Sequence, residues 1–406
     1  MKYLLRNKIF LLLLVVLLYF SPTAISLPQQ SRSENIITAM GVDKTEQGYE
    51  VHIQYVLPYL DSNNSTLKVM TGKGSSVSEA VENLDMEYGK ISGFAHCRTL
   101  IFNDKACEDD LTQILDYVVR IKTNTNNVTL INTHKSSKDV LECATNLDNE
   151  LYTIINSNGI AGEQRKYQDL KTINDYYNCM FGDCKSIAIS VINTEEPEKE
   201  QQDGGPSSSN GGEQASSNSA SSSEKKIKNH GEIAIIKNGK KVLELGEEET
   251  DNLTWFDKDI REGKIIVENF SDELYKDATL NFFVINKKNK VNVSFKNGEP
   301  HFNLSIKVLS RLTQVIQDDM GENIYHVVEK KYSDKLVSAI KERITSQLVS
   351  AENNFKQNKY DIIECGEYFH KFCPKEYKDF LSKLENKDDF ITHVHFSYNI
   401  DIEQRR

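Results

Sequence analysis

Cys365, His370 and Cys373 lie within one short segment, and thiolates with an imidazole suit a transition metal. Their spacing matches no recognised zinc motif, and a fourth ligand must come from elsewhere. Two core thiols and a surface histidine explain them more simply. His393 and His395 alternate along a strand-like segment and could chelate an ion, yet a solvated strand face accounts for both. His96 beside Cys97 suggests a base next to a nucleophile. Neighbours on a strand point to opposite faces, so that pair is badly placed for the chemistry.

Glu247-Glu248-Glu249 follows a hairpin and reads as a solvated loop, and Trp255 reads as a core anchor. There is no GxxxxGK[ST] loop, no GxGxxG opening a helix, no GxSxG elbow and no HExxH helix. No catalytic, cofactor-binding or metal residue is therefore assigned. No cofactor is expected, and the chain is expected not to be an enzyme.

The elements around these residues are legible from periodicity. Ile36–Met40 reads as a strand, Asp43–Gly48 as a polar turn and Tyr49–Val56 as an alternating strand. Helices are expected over Ser76–Tyr88, Cys107–Arg120 and Ser137–Ala144, with short strands at Arg98–Phe102 and Asn127–Ile131. Such alternation implies α/β or α+β layering. Further on, Asn238-Gly239 and Asn297-Gly298 each sit between strand-like runs and signal tight hairpins. Thr279–Ile285 reads as a strand. Tyr332–Phe355 reads as a long helix striped by Leu336, Ile340, Ile344 and Leu348, with Ser333 as its cap. The chain ends in a strand with Val394, Phe396, Tyr398, Ile400 and Ile402 on one face. An antiparallel sheet packed on the long helix is expected.

The chain has 406 residues, 38% of them hydrophobic, and a net charge of −11. That balance fits a folded body in more than one domain. The acidic total argues against nucleic acid and against a broad electrostatic grip on anionic lipid. Lys2, Arg6 and Lys8 precede an apolar run from Ile9 to Phe20, then Ala24-Ile25-Ser26. This is the layout of a signal peptide, with cleavage expected between Ser26 and Leu27. Twelve apolar residues span only about 18 Å as a helix, which favours cleavage over an uncleaved anchor. Residues 194–228 are Ser/Gly-rich with almost no apolar side chains, and read as a flexible linker. The expected division is residues 1–26 as the leader or anchor, 33–193 as an N-terminal region, the linker, and 229–406 as a C-terminal region. Seven dispersed cysteines are read as free buried thiols, although Cys179 with Cys184 and Cys365 with Cys373 are close enough in sequence to pair.

The segment Ser33-Glu34-Asn35-Ile36-Ile37-Thr38-Ala39-Met40-Gly41-Val42-Asp43-Lys44 resembles the mature start of the Ger(x)C family of spore germination proteins. His96 through Leu100-Ile101-Phe102 to Asp116 and Arg120 is similar to that family's next block. Gly231–Lys237, Leu253-Thr254-Trp255 and Gly263–Ile266 look like the opening of its C-terminal domain. The resemblance implies a non-catalytic C-type subunit of a germinant receptor on the outer face of the spore inner membrane, working with A-type and B-type subunits. One departure stands out. No cysteine precedes Cys97, so the family's usual lipidated cysteine is absent and no lipidation site is assigned. The alternative function is an exported module that binds a small molecule.

Overall fold

The computed structural model describes residues 36–57, 66–89, 94–109, 111–120, 127–147, 149–155, 170–195, 226–228, 231–258, 263–317 and 331–405. The signal-peptide positions Ser26 and Leu27, and most of the linker, lie outside them.

The N-terminal sheet starts with the meander β1 (Ile36–Thr45), β2 (Gly48–Leu57) and β3 (Thr66–Gly74). β1 also pairs in parallel with β4 (Thr99–Asn103), β4 with β5 (Thr129–Thr133), and β5 with β6 (Ser186–Val191). The expected polar turn, Asp43–Gly48, is shorter than expected and falls at residues 46–47, between β1 and β2. β1 runs on to Thr45, and the Asp43 side chain is buried, because neighbouring groups satisfy its carboxylate.

Helices cover both faces of the sheet. On one side lie α1 (Val77–Tyr88), α2 (Asp104–Asp109), α3 (Leu111–Arg120) and α5 (Ile173–Phe181). On the other lie α4 (Ser137–Asn146) and a helical turn at 151–155. The single helix expected over Cys107–Arg120 is in fact α2 and α3. The Leu111 N–H donates to Gly239 O at 2.8 Å instead of continuing a helical ladder.

The described ends of the segment expected to be a linker pair with each other, β7 (Asn193–Glu195) with β8 (Lys226–Lys228). The hairpin that follows, β9 (Ile233–Lys237) and β10 (Lys240–Leu245), returns to the first sheet. β9 pairs antiparallel with β6, so the eight-stranded order is β10-β9-β6-β5-β4-β1-β2-β3. Asn238 and Gly239 have φ of +49° and +82°, the backbone that the Asn-Gly signal demands. Ala234 and Ile236 face the N-terminal core, whereas Ile233 and Ile235 face the C-terminal core. Strand alternation thus lets one short strand serve both cores.

The second sheet has the order β11 (Gly263–Phe270), β12 (Ala278–Lys296), β13 (Glu299–Ile316) and β14 (His395–Gln404). Thr279–Ile285 and Val291–Phe295 are parts of one continuous strand, β12. The acidic triplet forms the first turn of α6 (Glu247–Leu253) and not a loop. Carboxylates there complement the helix dipole. The long helix, α7 (Asp334–Asn358), is capped by Ser333. It buries Leu336, Ile340, Ile344, Leu348, Ala351 and Phe355 against the sheet. β11, β12 and β13 are antiparallel, as expected, but β14 joins β13 in parallel. A parallel neighbour needs a crossover. Here α7, α8 (Cys365–Phe372) and α9 (Pro374–Leu381) supply it. The architecture is mixed α/β, with a layered N-terminal body and a C-terminal sheet on a long helix.

Candidate functional site

The parallel strands β1, β4 and β5 end on one edge of the first sheet. From β1 the chain leaves toward β2 and β3; from β4 it leaves the other way, toward β5. Ligands of open α/β sheets gather at such a reversal, outside the carboxyl ends of the strands. A cavity of about 280 Å³ lies here, and the side chains of Asp43, Thr45, Glu50, Asn103, Asp104 and His134 contribute to its wall.

Local hydrogen bonding fixes that wall. Asn103 Oδ1 accepts the N–H groups of Lys44 (3.0 Å) and Ala106 (2.9 Å), and Nδ2 donates to Lys44 O (3.1 Å). One side chain thus caps α2 and ties β4 to β1. Asp43 accepts the Ser136 hydroxyl at 2.5 Å and the Ser137 N–H at 3.0 Å, so it anchors the start of α4. His52 Nε2 lies 3.3 Å from Asp43 Oδ2, and its Nδ1 lies 2.9 Å from Thr71 Oγ1. Burial alone would raise the Asp43 carboxyl pKa. The adjacent His52 imidazole and the hydrogen bonds of Ser136 and Ser137 outweigh it and hold the group below its ordinary value.

Beside the cavity, Lys241 on β10 reaches across to the N-terminal strands. Its ammonium donates to Asp104 Oδ1 (2.6 Å), Glu244 Oε2 (2.7 Å) and Asn132 Oδ1 (3.0 Å). Burial would lower this lysine's pKa, but its bonds to Asp104 and Glu244 raise it overall. His134 sits between Asp104 and Glu244, with Nδ1 3.1 Å from Asp104 Oδ2 and Nε2 3.1 Å from Glu244 Oε1. Among the described residues, the groupings with metal-ligand character are Asp104/His134/Glu244 and Asp183/Glu367/His370.

The residues singled out by sequence are not brought together. Cys365 is fully buried at the start of α8, and Cys373 donates its thiol to Val293 O at 3.8 Å. His370 is exposed and pairs with Asp183. Helical geometry explains this, since residues five apart diverge around the axis. His393 belongs to a 3-10 turn, Lys387–His393, not to the last strand. His395 stacks on its register partner His301 and pairs with Glu299 at 3.1 Å. His96 is exposed, whereas Cys97 is buried with its thiol pushed up to about 12 by desolvation, so the two form no nucleophile–base pair. Trp255 is buried and donates Nε1–H to Gln347 Oε1 at 3.0 Å. None of the seven cysteines is joined in a disulfide. Sequence reasoning missed His134, Lys241 and Glu244. They lie far apart in the chain, and only the strand order unites them.

Among the described residues no helix is long and apolar enough to cross a membrane. Two cores sharing one hairpin define a two-body α/β scaffold. Residues 31–194 match the spore germination protein N-terminal domain, and residues 231–406 match the spore germination B3/GerAC-like C-terminal domain. The chain therefore belongs to the GerAC-like family of spore germination proteins. The solved structure titled "Crystal Structure of the GerBC protein" is similar in fold, with a TM-score of 0.51 and 15% identity. The match covers 90% of this chain and 97% of that one. No curated protein matches.

Proposed function

We propose that this chain is the C-type subunit of a spore germinant receptor, coupling nutrient sensing to germination through protein contacts at the membrane. The carrying observation is that both family domains occur in order across the described fold. The receptor's A-type and B-type subunits are its partners in this reading, which places it on the outer face of the spore inner membrane. A non-catalytic role fits the interior chemistry, since burial pushes the Cys97 and Cys107 thiols up to about 12. Deleting the gene in a strain without a redundant receptor is expected to abolish nutrient-triggered germination and leave sporulation intact. Normal germination in that strain would overturn the proposal.

The cavity at the strand reversal favours a second reading, an exported module that captures a small molecule. It predicts saturable thermal shifts of the purified chain with a member of a nutrient panel. A flat response across the panel removes it.

A further inference from the structure

Helix α5 ends in a turn that folds back on its last residues. The Gly182 N–H donates to Asn178 O at 2.9 Å, and the Lys185 N–H donates to Cys179 O at 3.2 Å. The Lys185 ammonium closes the same turn by donating to Met180 O at 2.8 Å. These bonds lay Cys184 alongside Cys179, and the two thiols meet in a hydrogen bond. Cys179 is partly exposed, whereas Cys184 is buried behind it. A disulfide requires two backbones held side by side, and this turn holds them so.

The surroundings of Cys184 decide what the pair can become. The hydrogen bond from Cys179 raises the Cys184 thiol pKa most, followed by burial and by the nearby Asp361 carboxylate. A thiolate is therefore disfavoured there, and thiolates are what a metal ion binds. A disulfide carries no charge and meets no such penalty.

The same turn is where the two bodies touch. The Asp183 N–H donates to Glu367 Oε1 at 2.7 Å, its carboxylate pairs with His370, and Lys185 forms a β-bridge with Asp361. Asp361 in turn accepts the N–H groups of Cys365 and Gly366, each at 2.8 Å, at the start of α8. Residues 179 and 184 thus bracket the segment that α8 grips.

We propose that Cys179 and Cys184 form a disulfide that fixes this turn against α8. The oxidant is a second disulfide, on a small molecule or a protein. Cys179, the accessible sulfur, attacks first. Its Sγ joins one sulfur of the acceptor, and the other sulfur leaves as a thiol. Cys184 Sγ then displaces the acceptor's remaining sulfur. The pair loses two protons and two electrons, and the acceptor disulfide becomes two thiols. The scarce Cys184 thiolate makes the second exchange the slow one. The bridge does not depend on the receptor role.

The test treats the reduced, full-length chain with excess glutathione disulfide in mildly alkaline buffer. The mixture is quenched in acid, alkylated in denaturant and digested with trypsin. Cleavage after Lys171 and Lys185 puts both cysteines, and no other, on one peptide, residues 172–185. From the reduced chain that peptide carries two alkyl groups. From the oxidised chain it is expected to carry none and to be two hydrogens lighter than the unlabelled dithiol, ahead of any other pairing. Cys365→Ser should leave this result unchanged. Oxidation should also raise the urea midpoint read by Trp255 fluorescence, and Cys179→Ser should remove that rise. Two alkyl groups on the peptide after oxidation would overturn the proposal. So would a lasting glutathione adduct on Cys179 with Cys184 alkylated, or a link from Cys184 to Cys365. An oxidised chain whose midpoint is unchanged or lower would equally sink it, because the bridge would then not fix the native turn.

Discussion

Glu367 on α8 accepts the backbone N–H of Asp183 at 2.7 Å, 184 positions earlier in the chain. The contact ties the C-terminal helices to the loop that leads into β6. Close approach makes it possible, since a Cβ on Gly182 would lie 2.2 Å from Glu367 Oε1. Glu367→Ala leaves the Asp183 N–H without its acceptor and is expected to cost roughly 1–3 kcal/mol. Glu367→Gln keeps an oxygen and should cost less. Trp255 is the sole tryptophan, so its fluorescence in a urea titration reports on the C-terminal core. Identical midpoints for wild type and Glu367→Ala would show that the contact does not hold the two bodies together.

Gly41 predicts a second sensitive position. A Cβ there would meet Ser137 Oγ at 2.3 Å, Ser137 Cβ at 2.8 Å and Leu141 Cδ1 at 3.3 Å. Helix α4 is drawn this close because Asp43, two residues on, anchors its first turn. Gly41→Ala is expected to destabilise by roughly 1–3 kcal/mol through overpacking. Adding Ser137→Gly should recover part of the loss, a non-additivity that a double-mutant cycle in urea reads directly. Strict additivity would mean that the two residues do not press on each other.

What could be read in the sequence depended on whether the signal was local. The α7 stripe, the Ser333 cap and the two Asn-Gly turns are set by neighbouring residues, and all appear as expected. Asp43 lies in a strand and not a turn because the remote Ser136 and the neighbouring-strand His52 cancel the usual cost of burying a carboxylate. The direction of β14 was misjudged because alternation reveals a strand's faces but not its orientation. The cluster around His134 was invisible for the same reason, since it depends on β10 folding back beyond β6.

Thiol reactivity should follow burial. Cys179 and Cys373 are partly exposed, whereas Cys97, Cys107 and Cys365 are buried and desolvated, so their thiolates are scarce near neutral pH. Brief native alkylation should label Cys179 and Cys373 first, with the other three reacting only in denaturant, as peptide mass spectrometry can show. Early labelling of Cys97 would instead indicate an activated thiol beside His96.

Lys287 gives the pH prediction. Its side chain is buried beside Trp255, with Nζ 5.8 Å from the ring centroid, and donates to the carbonyls of Thr254 and Asp257. Desolvation lowers its pKa from 10.5 to about 8, with Asp257 opposing weakly. A base whose pKa is depressed by folding contributes stability that is fully present above its unfolded pKa. That contribution is lost as pH falls through the folded one. The window is therefore about 8 to 10.5, and the shift corresponds to roughly 3 kcal/mol. Other lysines and tyrosines titrate in the same range, so the quantity to read is the stability difference between wild type and Lys287→Met across pH. That difference should move in favour of wild type as pH rises from 8 toward 10.5. At neutral pH the variant escapes the cost of a buried charge but leaves the Thr254 carbonyl without this donor, so the two proteins should lie close together. A difference that stays flat across the window would mean that Lys287 reaches water in the folded chain.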